Sequence, residues 1–584
     1  MILFRIFVPM VCLGIPLTLF GQEAESPVVE AITIEGNRVL SRGDLKLLMH
    51  TRVSRWYTIF SGVKPRRFDS AVFRSDVARI VARYGDLGYF DAVVDTVVNR
   101  YRPGFVRIRL RIEEGEPVLV FSIRLEGLPE DVAPDSLHLR EALITRPGRP
   151  LTRVGREADL NLIADRLQDS GYAFAEVAAP VTRQARRADV TFRARPGPKC
   201  RFGQVRVEGN QRVSKGLIRR GLSFREGETY RKRDLLNSRH QLYRSGAFRS
   251  VSLSLSDTVA QTSPVDVDVL VRERPPRSLK LGVGYDTEEQ VRGVLAWRHR
   301  NFLGGGARQL TIESEASALE AHGQIGLRQP YIFGSKTWLD VVGFVEQERP
   351  EEVRVKRTGG SVSLERMFRA TGRLVFQVRT EVVDFKVDST RTNVLIDYME
   401  DTRDDFFDPQ RGLLASLAMK MSGFGDLLKL TGEGRWYRKV FRKNVLAFRV
   451  SGGMILSLGA GKPIPNFERF FAGGANSVRG WRLNQLSPRD ASGSPVGGRS
   501  LLEGSIELRT WLLPVLGVAV FLDAGNVGSD RFGAFKLSAL KLAAGAGVRY
   551  LSPISPLRID VAYRLSEDRF VPHRRIYFSL GQAF

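Results

Sequence analysis

Three charged residues in the last quarter of the chain have the types and spacing for a directed, non-covalent latch. Arg479 lies in the segment FERFFAGGANSVRGW, residues 467–481, between two runs that alternate as strands do. The next run reads GSIELRTW and the one after it VAVFLDAGNVG. By alternation Glu507 and Asp523 share the face opposite Ile506 and Leu522. A guanidinium bridges two carboxylates with several directed hydrogen bonds, which an ammonium does less well. The loop from Gly459 to Arg499 can therefore fold inward and be tied to a wall of strands through Arg479, Glu507 and Asp523. The plainer alternative is that the two carboxylates are ordinary charges paired elsewhere.

Covalent chemistry finds little support. The six histidines, His50, His138, His240, His299, His322 and His573, have no ligand spacing, so neither a metal nor another cofactor is expected. GAGK at 459–462 lacks the opening glycine of a phosphate loop and has Pro463 where Ser or Thr is needed. No GxSxG elbow occurs. The chain reads as a non-enzyme.

The elements that would position the latch are strands of a barrel. Residues 1–22 have the form of a secretory signal, with Arg5, an apolar core from Ile6 to Phe20, and Gly21 for cleavage. Beyond Gln22 no apolar run is long enough for a membrane helix. Cys12 leaves with the signal and Cys200 alone forms no internal disulfide. From Arg277 to Phe584 alternation is clean: Leu279, Leu281, Val283 and Tyr285 oppose Lys280, Gly282, Gly284 and Asp286. Leu557, Ile559, Val561, Tyr563 and Leu565 oppose Arg558, Asp560, Ala562 and Arg564. Arginines and aspartates on the inner face suit a polar lumen inside a lipid-facing wall. Sheets in lipid must close, so an even, antiparallel barrel is predicted; sixteen strands use about 19 residues each with their loops, and counting leaves fourteen or eighteen open. The seam would join Leu279–Tyr285 to a last strand from Ile576 to Phe584, including Phe578, Leu580 and Gly581.

Before the barrel a pattern occurs three times, assigned to residues 27–118, 119–199 and 200–274. Each unit opens on a strand and a turn glycine, Gly36, Gly127 or Gly209. A helical stretch then stops at Gly88, Gly171 or Gly246, and alternating strands close the unit. Strand, two helices and two strands make a small sheet with helices on one face. The composition, 43% hydrophobic and 26% charged, suits folded domains throughout. The net charge of +25 in an exported chain points to lipid or lipopolysaccharide headgroups as anionic partners, or to a solvated basic surface, and away from nucleic acid.

The repeats resemble POTRA (polypeptide-transport-associated) domains, although the second carries EGL in place of EGN. Val478, Arg479, Gly480 and Trp481 resemble the VRG-aromatic loop motif of the BamA/TamA outer-membrane assembly superfamily. LDAG at 522–525, the segment 544–565 and DTRDDFFDPQRG at 401–412 are similar to other signatures of that family. The terminal IYFSLGQAF resembles the C-terminal insertion signal of outer-membrane barrels. The resemblance implies α+β periplasmic repeats followed by an all-β barrel in the outer membrane of a Gram-negative-type bacterium. It implies that the protein inserts or translocates unfolded outer-membrane or secreted polypeptides, with the loop arginine held by wall carboxylates. Three repeats and this length look TamA-like, with a small general insertase as the other reading. A two-partner secretion transporter would carry a plug helix for which no room is expected; a porin, the rival of another class, would need neither the repeats nor the latch. A periplasmic, lipoprotein or inner-membrane partner at the repeats is left open.

Overall fold

The computed structural model describes residues 26–584 apart from 55–65, 133–135, 257–260, 350–353, 369–370, 386, 442–443, 460–462, 514, 553–555, 568–571 and 581–584. The proposed signal, Gly581 and Phe584 lie outside the described residues. The chain divides into two compact units, Met1–Lys199 and Cys200–Phe584.

The first unit holds two repeats. In the first, β1 (Val28–Glu35) is followed by α1 (Arg42–Leu48), α2 (Ser70–Asp86), β2 (Val93–Arg102) and β3 (Phe105–Glu113). The last strand is central, parallel to β1 and antiparallel to β2, so β1 and β2 are edges. Every second residue of β3, Val106, Ile108, Leu110 and Ile112, is buried under the helices, while Arg107, Arg109 and Arg111 face out. The second repeat runs β4 (Leu119–Glu126), α3 (Ser136–Ala142), α4 (Arg153–Asp169), β5 (Glu176–Ala178), β6 (Val181–Gln184) and β7 (Arg187–Arg195). It departs from the predicted pattern because Pro180 divides the middle strand into β5 and β6; proline has no N–H for the ladder.

Two devices recur. At Gly36, Gly127 and Gly209 φ is positive, and a Cβ would strike the carbonyl oxygens of Ile112, Ala194 and Val271 in the central strands. Only glycine lets the opening turn approach that strand so closely. The second device is an acceptor on the long helix of each repeat. Asp76 accepts the N–H groups of His50 and Thr51 at 2.7 and 2.9 Å, and Asp159 those of Ile144 and Thr145 at 2.7 and 2.8 Å. In the third repeat the Ser238 hydroxyl accepts from Ser223 N–H at 2.8 Å. These buried acceptors bind the end of the short-helix segment to the long helix.

The third repeat belongs to the second unit. It comprises β8 (Phe202–Glu208), α5 (Lys215–Arg220), α6 (Lys232–Arg244), β9 (Phe248–Leu255) and β10 (Val265–Glu273), with β10 central. Sixteen antiparallel strands follow, each paired with the next. The first eight are β11 (Arg277–Asp286), β12 (Gln290–His299), β13 (Gln309–Ala316), β14 (Glu320–Pro330), β15 (Thr337–Glu348), β16 (Val355–Phe368), β17 (Gly372–Phe385) and β18 (Val387–Asp401). The second eight are β19 (Gly412–Ser422), β20 (Leu427–Phe441), β21 (Asn444–Ser457), β22 (Ser500–Trp511), β23 (Leu516–Gly528), β24 (Lys541–Leu551), β25 (Pro556–Arg564) and β26 (Arg574–Leu580). Leu281, Val283, Ile559 and Ile576 stand exposed on the outside, and Arg549, Arg558 and Asp560 are buried inside. This is the inside-out alternation of a lipid-facing barrel.

The third repeat is seated on the near rim of this barrel. Tyr331, between β14 and β15, donates to the Gln241 carbonyl at 2.8 Å, and Ser214 N–H donates to the Gly305 carbonyl at 3.0 Å. Arg244 stacks over Trp338 at 4.8 Å and pairs with Glu365 at 3.6 Å.

Candidate functional site

The segment between β21 and β22 turns into the lumen and carries its own apolar core. Val478 and Trp481 are fully buried, packed with Phe470, Ala472 and Leu486 of the loop and with Ile455, Val527 and Ala543 of the wall. Room for it comes from the inner face of β24, where Ala543, Gly545 and Gly547 stand. A Cβ on Gly545 would strike the Phe521 ring, and one on Gly547 the Asp560 carboxylate. Gly480 has φ of 108°, and a Cβ there would press on Ala543 and Arg564.

Arg479 is 1% exposed and all its bonds are directed at the wall. Its Nε donates to Asp523 Oδ2 at 2.7 Å and Nη2 to Asp523 Oδ1 at 2.8 Å, while its backbone N–H reaches Oδ2 at 3.1 Å. Nη1 donates to Glu507 Oε2 at 2.8 Å and to Asp560 Oδ2 at 3.1 Å. The guanidinium carbon lies 3.3 Å from the centre of the Phe521 ring, and Nη2 also reaches Ser505 Oγ at 3.3 Å. Strand alternation thus brings Arg479, Glu507 and Asp523 together. The sequence reading missed Asp560, Ser505 and Phe521. Asp560 stood in the inward set of its strand, but its approach to Arg479 crosses β24 and depends on the curvature of the wall.

A second ring of charge surrounds the first. Arg509 bonds Glu507 at 2.8 Å, and Arg549 bonds Asp560 at 2.5 Å and Glu507 at 3.3 Å. Arg558 pairs with Asp560 at 3.6 Å. Three carboxylates therefore meet four guanidiniums, an arrangement that offsets the desolvation of each only while every partner is present. Each of the three carboxylates is engaged by at least one guanidinium, and Arg479 joins all three to the loop.

A separate contact ties the other end of the loop. Lys420 of β19 and Lys429 of β20 are direct cross-strand neighbours, and Lys420 donates to both Glu468 oxygens at 3.0 and 3.1 Å. Lys429 donates to the Glu468 carbonyl at 2.9 Å. The segment 401–412 is the turn between β18 and β19, closed on itself by Asp404 and Asp405, with Phe406 and Phe407 exposed.

The residues chosen for the seam lie where β11 and β26 end the sheet. Leu279, Leu281, Val283, Tyr285, Ile576 and Leu580 face outward. Each other neighbouring pair of strands is joined by a ladder; β11 and β26 are not, among the described residues. They meet where Thr287 N–H donates to the Phe578 carbonyl at 3.2 Å, and where the Tyr285 and Phe578 rings lie 6.2 Å apart.

Repeats of this topology, a sixteen-stranded sheet and a lumen loop held through a VRG-aromatic motif define a POTRA-bearing outer-membrane barrel. The Omp85 superfamily domain matches residues 301–584, and the POTRA family, described as a surface antigen variable number repeat, matches 27–115, 119–197 and 200–274. The chain belongs to the BamA/TamA, or Omp85, superfamily. Outer membrane protein assembly factor BamA of Nitratidesulfovibrio vulgaris is 26% identical, over 97% of this chain and 75% of that protein. BamA of Neisseria meningitidis serogroup B is 24% identical, over 96% and 79%. The crystal structure of BamA from Haemophilus ducreyi lacking POTRA domains 1–3 superposes with a TM-score of 0.56 at 18% identity, covering 79% of this chain and 99% of that one.

Proposed function

We propose that this chain is an assembly factor of the outer membrane, inserting other outer-membrane barrel proteins, with its repeats in the periplasm. The observation that carries the reading is the sheet whose two end strands meet without a ladder among the described residues, beside a loop tied firmly into the lumen. An exposed strand edge in lipid leaves backbone groups unpaired, which favours pairing with an incoming strand. Opening the seam between β11 and β26 would present such an edge to a client. The described strands near the seam are short, 10 residues in β11 and 9 in β25 against 14 in β17, which supports local thinning of the bilayer there.

The repeats would receive the client. The edges β1 and β2 of the first repeat, and their counterparts in the others, can add an extended segment through main-chain hydrogen bonds without reading its sequence. Residues 27–118, 119–199 and 200–274 are proposed as the three receiving modules and 277–584 as the insertion module. Val478, Arg479, Gly480 and Trp481, with Glu507 and Asp523, are proposed as the latch that keeps the barrel competent. Anionic headgroups and an accessory protein at the repeats are further proposed partners. No step requires covalent chemistry.

Depletion followed by a census of outer-membrane proteins tests this function. Broad loss of barrel proteins is the expected result, selective loss would place the chain with TamA-like specialists, and an unchanged census would contradict the reading.

A further inference from the structure

The loop bearing Arg479 touches both sides of the seam. On the first side, Glu288 sits in the turn between β11 and β12, and its Oε2 accepts the Ala475 N–H at 3.1 Å. The other oxygen of this carboxylate is buried without a hydrogen-bond partner among the described residues, so the loop amide is the bond that compensates its burial. Gly474 makes the approach possible, since a Cβ there would come within 2.9 Å of Glu288 Oε1. On the other side, Tyr577 of β26 is 2% exposed and points inward. Its hydroxyl donates to the Trp481 carbonyl at 2.6 Å and accepts the Gly480 N–H at 3.2 Å. Arg558 of β25 adds a bond to the Asn476 side chain at 2.9 Å.

We propose that residues 474–481 form a strap across the seam, with Glu288 and Tyr577 as the positioning residues that tie it to the first hairpin and the last strand. Arg479, between these two attachments, anchors the strap to β22, β23 and β25. With the strap seated, the first and last strands stay side by side although few bonds join their described residues directly. Parting the strands requires breaking the Glu288 or the Tyr577 contact. Loop seating and seam closure are then linked, and by reciprocity each stabilises the other. This rests on the lateral-seam reading above and deepens it by naming what holds the seam shut before a client arrives.

Spin labels at Val283→Cys and Ile576→Cys, on the outer wall at either side of the seam, read the separation in the full chain in a bilayer. Glu288→Ala and Tyr577→Phe are each expected to add a population wider by about 5 Å, one strand spacing. Glu288→Gln, which keeps an acceptor for the Ala475 N–H, is expected to leave the distribution as it was. Identical distributions in all four proteins would overturn the strap. Where a variant does not fold, the reciprocal measurement keeps both residues. A Tyr285→Cys/Phe578→Cys disulfide is expected to slow proteolysis within 482–499 at least threefold relative to its reduced form, and equal rates would overturn the proposal. The same disulfide separates the two readings. Client insertion indifferent to it removes the seam mechanism, whereas lock-sensitive insertion with unaltered label distances removes only the strap.

Discussion

Arg479 meets Asp523 through three separate donors, its backbone N–H, Nε and Nη2, at 3.1, 2.7 and 2.8 Å. Side-chain fork and main chain converge on one carboxylate, so the contact sets the path of the loop as well as the position of a charge. A lysine at 479 could supply charge but not the fork.

Arg479→Ala leaves Glu507, Asp523 and Asp560 without their shared partner. Removing one member of a buried charge network costs about 3–5 kcal/mol. The expected result is a lower unfolding midpoint in denaturant and faster proteolysis of the loop, with Arg479→Lys recovering only part of the loss. An unchanged midpoint would mean that the latch carries no stability.

Asp560 and Arg549 should be coupled. Each bonds the other, and both reach the Arg479–Glu507 centre. Residues in one such network show interaction energies of about 0.5–3 kcal/mol. A double-mutant cycle with Asp560→Asn and Arg549→Gln, read by denaturant unfolding, is expected to fall in that range. Strict additivity would exclude Asp560 from the latch.

Acid sensitivity is expected in the first repeat at Asp76. Burial works to raise its pKa, but hydrogen bonds from Thr51, from the His50 N–H and from Arg79 outweigh burial and hold it below the usual carboxylate value. The folded-state pKa is depressed, so its stabilisation is complete above the unfolded value of about 3.9 and is lost as pH falls through the folded value. Amide exchange at His50 and Thr51 should accelerate in that acid window, and Asp76→Asn should remove the transition. A transition that persists in Asp76→Asn would assign it to another group.

Fold and site were legible in the sequence to different depths. The barrel wall was readable because lipid outside and charge inside force a period of two, as at Leu557–Leu565. The repeats were readable from Gly36, Gly127 and Gly209, whose spacing reflects one close approach made three times. Pro180 carried the signal for the divided strand in the second repeat, but its effect depended on which strand it would fall in. Parity placed Glu507 and Asp523 on the inner face. It could not select Asp560, because contacts across the lumen arise from sheet curvature and loop path, which adjacent residues do not encode. Tyr577 and Glu288 were hidden for the same reason, since each binds main-chain atoms of a distant loop.

The central claim is that clients enter through the seam between β11 and β26, and locking that seam tests it most directly. The full chain carrying Tyr285→Cys and Phe578→Cys is reconstituted in vesicles, and insertion of an unfolded barrel protein is followed by protease protection. With the disulfide formed, insertion is expected to fall at least tenfold, a barrier change of about 1.4 kcal/mol or more, and to return on reduction. Insertion at the same rate in the oxidised and reduced forms would contradict the account.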